Sequence, residues 1–388
     1  MSGELETSIF LIFTGAALLA TVALYSRQAI LVAYILLGVL LGPSGLALVG
    51  DAELMQQIAG VGIIFLLYLL GLDLLPRQLW TMLGEALSAT LWSAALFWSL
   101  GFGLAMAFRL ALPDAALVGA AAMFSSTIIG VKLMPTTALH HRHTGQMVIS
   151  VLLLQDLLAI IVLLLLQGYD TGAASALAMV RPLATLPLLI GIAWVLERYV
   201  IARLITRFDQ IHEYIFLLAI AWCLGIAQLA AGMGLSHEIG AFVAGVVLAS
   251  SPIALFITEK LKPLRDFFLV LFFFSVGATF NLAVLHEIAL PAILLAAILL
   301  IAKPLTFRAL FVRAGEKRAV SLEVGVRLGQ ISEFSLLIAL LALERGVIAP
   351  ATGHLIQFAT LLTFIVSSGF IVMRYPTPIA ASDRLRRD

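Results

Sequence analysis

Apolar runs of membrane-spanning length follow one another along nearly the whole chain. A helix needs about 20 mostly apolar residues to cross the hydrocarbon core of a bilayer, and such runs recur between residues 7 and 373. Of the 388 residues, 62% are hydrophobic and only 12% are charged, whereas about a quarter of the residues of a soluble domain are charged. Because peptide groups in lipid must bond within their own segment, runs of this length predict helices. The sequence therefore predicts an all-α polytopic membrane protein.

Charges and clusters of Gly or Pro divide the apolar stretches into thirteen predicted transmembrane helices, which we call spans one to thirteen. The ninth span is short, and its merger with a neighbour is the main alternative to this count. The loops between spans are short, so the predicted function lies within the bilayer. The predicted spans cover residues 7–25, 28–49, 55–75, 82–108, 113–133, 145–167, 180–200, 213–231, 235–250, 263–283, 287–311, 322–343 and 349–373.

The distribution of Lys and Arg residues predicts the orientation of the spans, because cytoplasmic loops carry an excess of both. With the N-terminus outside and the C-terminus inside, eighteen of the 23 basic residues lie on the cytoplasmic side. Arg109, Arg181 and Arg345 lie on the other side, and Lys303 and Arg327 lie within spans. An even number of spans would destroy this asymmetry, so we expect an N-out, C-in topology with an odd number of helices.

Three ionisable side chains are predicted to lie at mid-membrane: Asp156 in span six, Lys303 in span eleven and Glu333 in span twelve. A charged group at mid-membrane costs roughly 2.5–3.5 kcal/mol even on insertion-based scales, so a group that is kept there is a functional candidate. The alternative is that these side chains pair with one another and only tie helices together.

Asp156 lies in the run 151-VLLLQDLLAIIVLLLL-166, where Gln155 is the only other polar residue. Removal from water favours the neutral form of a carboxylic acid, whereas a bare cation in the same cavity favours the charged form. A single carboxylate can therefore hold a proton or an alkali cation, but not both well. This competition is itself a mechanism of exchange, and it makes Asp156 the predicted binding group.

Consecutive hydroxyl side chains at Ser125, Ser126 and Thr127 predict a break in the middle of span five. Such side chains compete with the hydrogen bonds of the helical backbone, and Gly130 and Pro135 follow closely. An unwound segment there would direct carbonyl and hydroxyl oxygens at a cation, as broken helices do in transporters. The alternative is that these residues only line a close helix–helix contact.

Span twelve has a comparable interruption at 329-GQISEF-334. Ser332 is expected to cap a new half-helix, and the carboxylate of Glu333 would offset the positive end of that helix's dipole. The interruptions fall at similar places in the two halves of the chain, as they do in transporters built from inverted repeats. We therefore expect two broken helices, spans five and twelve, that cross at the site.

Several other classes of protein lack support in the sequence. It contains no G-x-S-x-G, H-E-x-x-H or Walker motif, so neither an enzyme nor an ATP-driven pump is expected. A net charge of +1 gives no indication of nucleic-acid binding, and the single cysteine, Cys223, forms neither a disulfide framework nor a C-x-x-C metal site. We expect a secondary transporter with no cofactor, whose ligands are the K⁺ or Na⁺ and the H⁺ that it moves.

Five segments, taken in order, resemble the monovalent cation:proton antiporters of the Kef potassium-efflux type, which have the sodium/proton antiporter fold. They are FSST at 124–127, LLLQD at 152–156, GLSHEIGAFVAGVVLASS at 234–251, PLRDFFLVLFFFSVGATFNL at 263–282 and GQISEF at 329–334. Each motif is modest by itself, but the combination is specific and extends from about span two to span thirteen.

The resemblance implies a homodimer, surrounded by membrane lipid, whose thirteen-helix protomers move ions by an elevator-like mechanism. It implies a dimerisation domain of spans one to three and eight to ten, a mobile core of spans four to six and eleven to thirteen, and a linker, span seven. The ranges are 1–110 for spans one to three and the start of the core, 82–167 for the first core helices, 180–200 for the linker, 213–283 for the second set of dimerisation helices, 287–373 for the second set of core helices, and 374–388 for a cytoplasmic tail.

The resemblance also implies roles for the candidate residues. The residues implied to bind the cation and the proton are Asp156, Gln155, Ser125, Ser126 and Thr127. The residues implied to take part in coupling or charge compensation are Lys303, Glu333 and Ser332. In the wider fold, the lysine of span eleven can pair with the acid of the binding site.

The function implied by the resemblance is exchange of K⁺ for H⁺ in the bacterial inner membrane. Because Gln155 cannot titrate, the single carboxylate at this position predicts one proton per cation, an electroneutral exchange. The alternatives are a Na⁺/H⁺ antiporter, a cation channel, and a non-transporting membrane sensor in which Asp156 pairs with Lys303. Kef-type proteins usually continue into a cytoplasmic nucleotide-binding regulatory domain, so such a domain is an expected partner, either as a separate chain or beyond Asp388.

Overall fold

The computed structural model of the protein describes residues 2–49, 52–74, 76–135, 143–168, 176–208, 210–251 and 254–378. Within these ranges the regular structure is helical and contains no β-strand, which confirms the predicted all-α class. The predicted tail at 374–388 is described only as far as residue 378, so residues 379–388 lie outside the described residues.

The helices are numbered in chain order. A π-helical turn at Glu197–Ile201 joins α8 to α9, and a 3₁₀ turn at Leu282–Val284 leads into α13. The helices are α1 (Ser2–Tyr25), α2 (Ile30–Leu41), α3 (Ala52–Asp73), α4 (Pro76–Ala107), α5 (Leu112–Met123), α6 (Thr127–Lys132), α7 (His143–Gly168), α8 (Ala176–Leu196), α9 (Ala202–Phe208), α10 (His212–Gly232), α11 (His237–Ala249), α12 (Ala254–Ala278), α13 (Leu285–Arg313), α14 (Arg318–Arg327), α15 (Glu333–Glu344) and α16 (Pro350–Arg374).

Seven helical segments in the described part of the chain are long and apolar enough to cross a membrane. Three shorter apolar segments accompany them, at Ile30–Leu41, Gly60–Asp73 and His237–Ala249. Every one of the thirteen predicted ranges overlaps a helix, but the number of crossings and the N-out, C-in orientation stay predictions. The seven segments are Glu6–Tyr25, Ala86–Ala107, Leu112–Lys132, His143–Leu166, His212–Gly232, Leu282–Arg313 and Pro350–Arg374.

The chain forms two compact units. The first comprises Met1–Ala52, Met82–Ala159 and Phe273–Asp388, and the second comprises Glu53–Thr81 and Ile160–Phe272. All the residues of the predicted site belong to the first unit. The assignment of the spans to a dimerisation domain, a linker and a mobile core stays a prediction.

In the first unit, α2 and α12 pack backbone against backbone through Gly38 and Gly277. A Cβ atom at Gly277 would collide with the carbonyl oxygen of Ile35, and one at Gly38 with that of Phe274. Small residues at such positions let membrane helices approach closely and gain van der Waals contact. The lack of a side chain at both positions therefore fixes the distance between these two helices.

We expect Gly277→Ala to destabilise the protein, because the added methyl group forces α2 and α12 apart. Over-packing of this kind typically costs about 1–3 kcal/mol. The matched control is Gly103→Ala in α4, where no atom lies within 4 Å of the added Cβ. Apparent unfolding temperatures of the purified variants in detergent provide the measurement. Equal temperatures for the two variants would contradict the close contact.

The second unit contains a contact of the same kind between α3 and α11. Gly71 and Gly245 face each other, and a Cβ atom at Gly245 would collide with the carbonyl oxygen of Tyr68. The indole Nε1 of Trp222 donates to the carbonyl oxygen of Ala244 at 3.0 Å, which joins α10 to α11. These contacts account for the packing of α3, α10 and α11 within this unit.

A buried arginine, Arg327, ends α14 in the first unit and is only 2% exposed. Its guanidinium binds the Glu323 carboxylate one turn earlier, at 2.9 and 3.0 Å. It also donates to the carbonyl oxygens of Leu133, at the end of α6, and of Pro376, just after α16, both at 3.1 Å. The ring of Tyr375 lies 5.6 Å from the guanidinium carbon. One side chain thus joins α14 to the end of α6 and to the segment that leaves α16.

Candidate functional site

The predicted break in span five is present. Helix α5 ends at Met123 and α6 begins at Thr127. Phe124 and Ser126 between them have extended backbones, with ψ of 149° and 119°. The hydroxyl oxygen of Ser126 accepts a hydrogen bond from the Ile129 N–H at 3.2 Å. Ser126 is therefore the N-cap of α6, and its oxygen satisfies one of the N–H groups that a helix start leaves without a partner.

The predicted break in span twelve is also present. Helix α14 ends at Arg327 and α15 begins at Glu333. Ser332 is extended, and its hydroxyl oxygen accepts from the Phe334 N–H at 3.1 Å. The prediction that Ser332 caps a new half-helix is confirmed.

The two breaks cross, and hydrogen bonds join them directly. The Ser125 hydroxyl donates to the carbonyl oxygen of Leu328 at 2.8 Å. The Gln330 amide donates to the carbonyl oxygen of Ser126 at 3.3 Å, and the Ser335 hydroxyl donates to that of Ala121 at 2.6 Å. Segments more than 200 residues apart in sequence thus meet at one buried place.

Gln155 holds the first break against α7. Its amide oxygen accepts from the Ser125 N–H at 2.9 Å, and its amide nitrogen donates to the carbonyl oxygen of Met123 at 3.3 Å. The side chain is fully buried. A break leaves peptide N–H and C=O groups without helical partners, and an amide side chain supplies both an acceptor and a donor. The oxygen that was expected to bind a cation is therefore bonded to the backbone of the break.

Asp156 lies beside the first turn of α6 and is 1% exposed. The Thr127 hydroxyl lies 3.3 Å from Oδ1 and 3.2 Å from Oδ2 of the carboxylate. Of the three predicted hydroxyl groups, Thr127 contacts Asp156, whereas Ser125 binds the second break and Ser126 caps α6. A carboxylate and a hydroxyl oxygen are ligands that suit hard cations, and the carboxylate can instead take a proton.

Lys303, in α13, is fully buried and reaches both breaks. Its Nζ donates to the carbonyl oxygens of Phe124 at 2.5 Å and Gln330 at 2.9 Å, and to the Ser125 hydroxyl oxygen at 3.4 Å. A protonated lysine has three N–H donors, so these three oxygens can accept all of them. Lys303 thus donates to oxygens of both breaks, and its pairing with the acid of the binding site, which the resemblance implied, stays a prediction.

Glu333 begins α15, but its carboxylate lies at the start of the other half-helix. Its Oε1 accepts from the Ile128 N–H of α6 at 3.2 Å, while Oε2 is buried and has no hydrogen-bond partner among the residues described. Glu333 was expected to offset the dipole of its own helix. Glu333 remains in the first turn of α15, and because the breaks cross, its carboxylate also reaches a peptide N–H group at the start of α6.

Two further side chains that sequence reasoning gave no role hold the second break. The Thr363 hydroxyl oxygen accepts from the Ile331 N–H at 3.0 Å. The Ser367 hydroxyl donates to the amide oxygen of Gln330 at 3.0 Å. Both residues lie in α16 one turn apart, so two hydroxyl residues at a spacing of four in an apolar span could have indicated this contact.

Resident metal sites have little support in the described part of the chain. No group of three or more His, Cys, Asp or Glu side chains there could hold a metal ion. What the crossing does contain is a buried carboxylate beside a hydroxyl group, next to two interrupted helices.

Known proteins match the chain along most of its length. The family described as the transmembrane part of sodium/hydrogen exchangers matches residues 9–374. K(+) efflux antiporter 4 of Arabidopsis thaliana is 31% identical over 318 residues, which are 79% of this chain and 53% of that protein. The glutathione-regulated potassium-efflux system protein KefC of Salmonella schwarzengrund is 31% identical over 377 residues, 94% of this chain and 59% of that protein. The chain thus spans between half and three fifths of the length of these two relatives.

A solved structure has the same fold. The sodium proton antiporter MjNhaP1 of Methanocaldococcus jannaschii superposes with a TM-score of 0.73 and 18% sequence identity, over 95% of this chain and 97% of that one. The family match covers nearly every helix described above. The resemblance predicted from the sequence motifs is therefore confirmed, and the chain belongs to the sodium/hydrogen exchanger family of membrane transporters.

Proposed function

We propose that the protein is a secondary antiporter that exchanges a monovalent cation, K⁺ before Na⁺, for H⁺ at Asp156. The observation that carries the proposal is the position of this acid. It is 1% exposed, touches the Thr127 hydroxyl, and lies at the crossing of two interrupted helices. A carboxylate kept inside a membrane span marks an ion or proton pathway in transporters.

The exchange follows from competition for one carboxylate. The protonated acid is neutral and has little attraction for a cation, whereas the ionised acid attracts one strongly in a site without water. The Thr127 hydroxyl can donate to the empty carboxylate and, after rotation, can offer its oxygen lone pairs to a bound cation. Binding of either ion neutralises Asp156, so either loaded form can cross the membrane at lower electrostatic cost than the empty form.

The stoichiometry we propose is one proton per cation, which makes the exchange electroneutral. Gln155 cannot titrate, and both ends of its amide are bonded to the break. The Lys303 Nζ lies among three oxygens that can accept its N–H groups, and the proposed stoichiometry requires the lysine to keep its proton through the cycle. Glu333 and Lys303 then take part in coupling or charge compensation, and Ser332 and Ser126 cap the half-helices.

The choice of K⁺ rests on relatives rather than on the site. The two potassium-efflux relatives are each 31% identical to this chain, whereas the sodium proton antiporter with the same fold is 18% identical. Na⁺/H⁺ exchange is the second candidate, which that fold neighbour and the family description favour. Both cations use oxygen ligands, so cavity size and field strength decide between them.

The family membership also supports the larger arrangement. We propose a homodimer in a bacterial inner membrane, with thirteen spans, an outside N-terminus and an elevator-like movement of the core. A cytoplasmic nucleotide-binding regulatory domain, separate or continuous with this chain, is the proposed partner.

The experiment that tests the function is ion flux into proteoliposomes that contain a pH-sensitive dye. We expect an inward K⁺ gradient to drive proton efflux at a rate that does not change when the membrane potential is varied. Replacement of K⁺ by Na⁺, Rb⁺ or Li⁺ gives the selectivity. A cation current without proton movement would identify a channel, and the absence of any flux would favour a non-transporting sensor.

A further inference from the structure

The oxygens around Lys303 have the composition of a monovalent-cation site. Two are backbone carbonyl oxygens, of Phe124 and Gln330, and the third is the hydroxyl oxygen of Ser125. Carbonyl oxygens that replace a hydration shell are how proteins hold K⁺ in selectivity filters. In this protein the group among these oxygens is the lysine ammonium, whose charge equals that of a free ammonium ion and whose N–H donors are of the same kind.

The electrostatics of the two breaks favour a cation at this place. Phe124 is the first residue beyond α5, and Gln330 lies three residues beyond the end of α14. Helix C-termini carry partial negative charge and carbonyl groups without helical partners. The face of the Phe97 ring, whose centroid is 5.4 Å from Nζ, adds a further attraction for positive charge.

Two further carbonyl oxygens at the crossing accept hydrogen bonds from side chains of the protein itself. The carbonyl oxygen of Leu328 accepts from Ser125, and that of Ser126 accepts from Gln330. The oxygens of Phe124 and Gln330 accept from Lys303. The sequence led us to expect these groups to bind the transported cation, but every one of the four has a donor from within the protein.

We propose that the crossing of the two breaks is a monovalent-cation site that Lys303 fills permanently with its own ammonium group. This inference rests on the proposed function, in which the transported cation binds at Asp156 and Thr127 rather than among the carbonyl oxygens that Lys303 contacts. Removal of the ammonium group should open the site to a free cation. NH₄⁺ reproduces the head group and should bind best, followed by K⁺ and then by the smaller Na⁺.

The test uses Lys303→Met, which keeps the apolar stem and removes only the charged end. Cation binding at the transport site is excluded by combining Lys303→Met with Asp156→Asn in a double variant. The control is the single variant Asp156→Asn. Both proteins are purified in detergent, and their apparent unfolding temperatures are measured during titration with NH₄Cl, KCl or NaCl at constant ionic strength, with choline chloride as the balancing salt. A ligand that binds only the folded protein raises this temperature in a saturable way.

We expect a saturable rise of a few degrees with NH₄⁺, and a smaller one with K⁺, in the double variant. We expect no cation-specific rise in Asp156→Asn alone, where Lys303 still occupies the site. A third substitution, Ser125→Ala, should weaken the response of the double variant because it removes one of the three oxygens. A flat titration of the double variant, or equal responses of the two proteins, would overturn the proposal.

Folding of the variant is a second readout. If Lys303→Met is recovered as folded protein only when ammonium is present during purification, the proposal is supported. If neither Lys303→Met nor Lys303→Ala is recovered in any of the salts, free ammonium cannot replace the side chain and the proposal fails. None of these measurements depends on transport, so the flux assay of the unaltered protein tests the exchange function independently.

Discussion

Asp156→Asn is expected to reduce cation-dependent proton flux to the background of protein-free liposomes while the protein stays folded. Asparagine has nearly the same shape and can keep the contact with the Thr127 hydroxyl, but it can neither release a proton nor attract a cation as a carboxylate does. The measurement is the proteoliposome assay with K⁺ and, separately, with Na⁺. The elution volume and unfolding temperature of the variant report whether the fold is kept.

The matched control for this prediction is Asp114→Asn. Asp114 is another buried aspartate of the first unit, 7% exposed in the first turn of α5, and its Oδ1 accepts from the Ala349 N–H at 2.9 Å. Asparagine keeps that acceptor oxygen, so exchange should continue close to the rate of the unaltered protein. Substantial exchange by Asp156→Asn, or loss of exchange in both variants, would show that Asp156 is not the binding group.

Arg327→Met is expected to lower the free energy of unfolding by about 3 kcal/mol. Removing one partner of a buried ion pair typically costs about 3–5 kcal/mol, and the expected loss is at the lower end of that range. The methionine keeps much of the stem but leaves the Glu323 carboxylate and the carbonyl oxygens of Leu133 and Pro376 without their donor. The lower end applies because the Glu323 side chain is 26% exposed and can be hydrated. Unfolding temperature in detergent is the measurement.

Arg318→Met provides the comparison on the same helix. Arg318 is the first residue of α14 and is exposed, so its replacement should change stability by no more than about 0.5 kcal/mol. If the two arginine variants unfold at the same temperature, the buried guanidinium does not hold the three segments together as described.

The interruptions of spans five and twelve were predictable because their cause is local. Three consecutive hydroxyl residues at 125–127 and a serine just before Glu333 favour caps and breaks wherever they occur in a helix, and the structure places caps at Ser126 and Ser332. The burial of Asp156 and Lys303 was predictable for a related reason, since each lies inside a long apolar run. Helical class and family followed from the same patterns.

The partners of these residues could not be predicted, because they depend on how distant helices cross. Gln155 was expected to face a cation, yet its amide bonds the backbone 30 residues away. Lys303 donates to carbonyl groups 179 and 27 residues away in sequence, and no pattern around residue 303 indicated these partners. A sequence shows which peptide groups a break leaves without helical partners, but only the crossing decides which side chain satisfies them.

The position of Arg327 has a mechanical consequence for the end of the chain. The segment that follows α16 cannot move relative to α14 without breaking the charge-assisted hydrogen bond from Arg327 to the Pro376 carbonyl oxygen. The same guanidinium also donates to the Leu133 carbonyl oxygen at the end of α6. Helix α6 has only six residues. At a rise of 1.5 Å per residue, Thr127 therefore lies about 9 Å along the helix from Leu133. The hydrogen bonds of Arg327 to Pro376 and Leu133 therefore connect the segment after α16 to the short helix whose first residue contacts the Asp156 carboxylate.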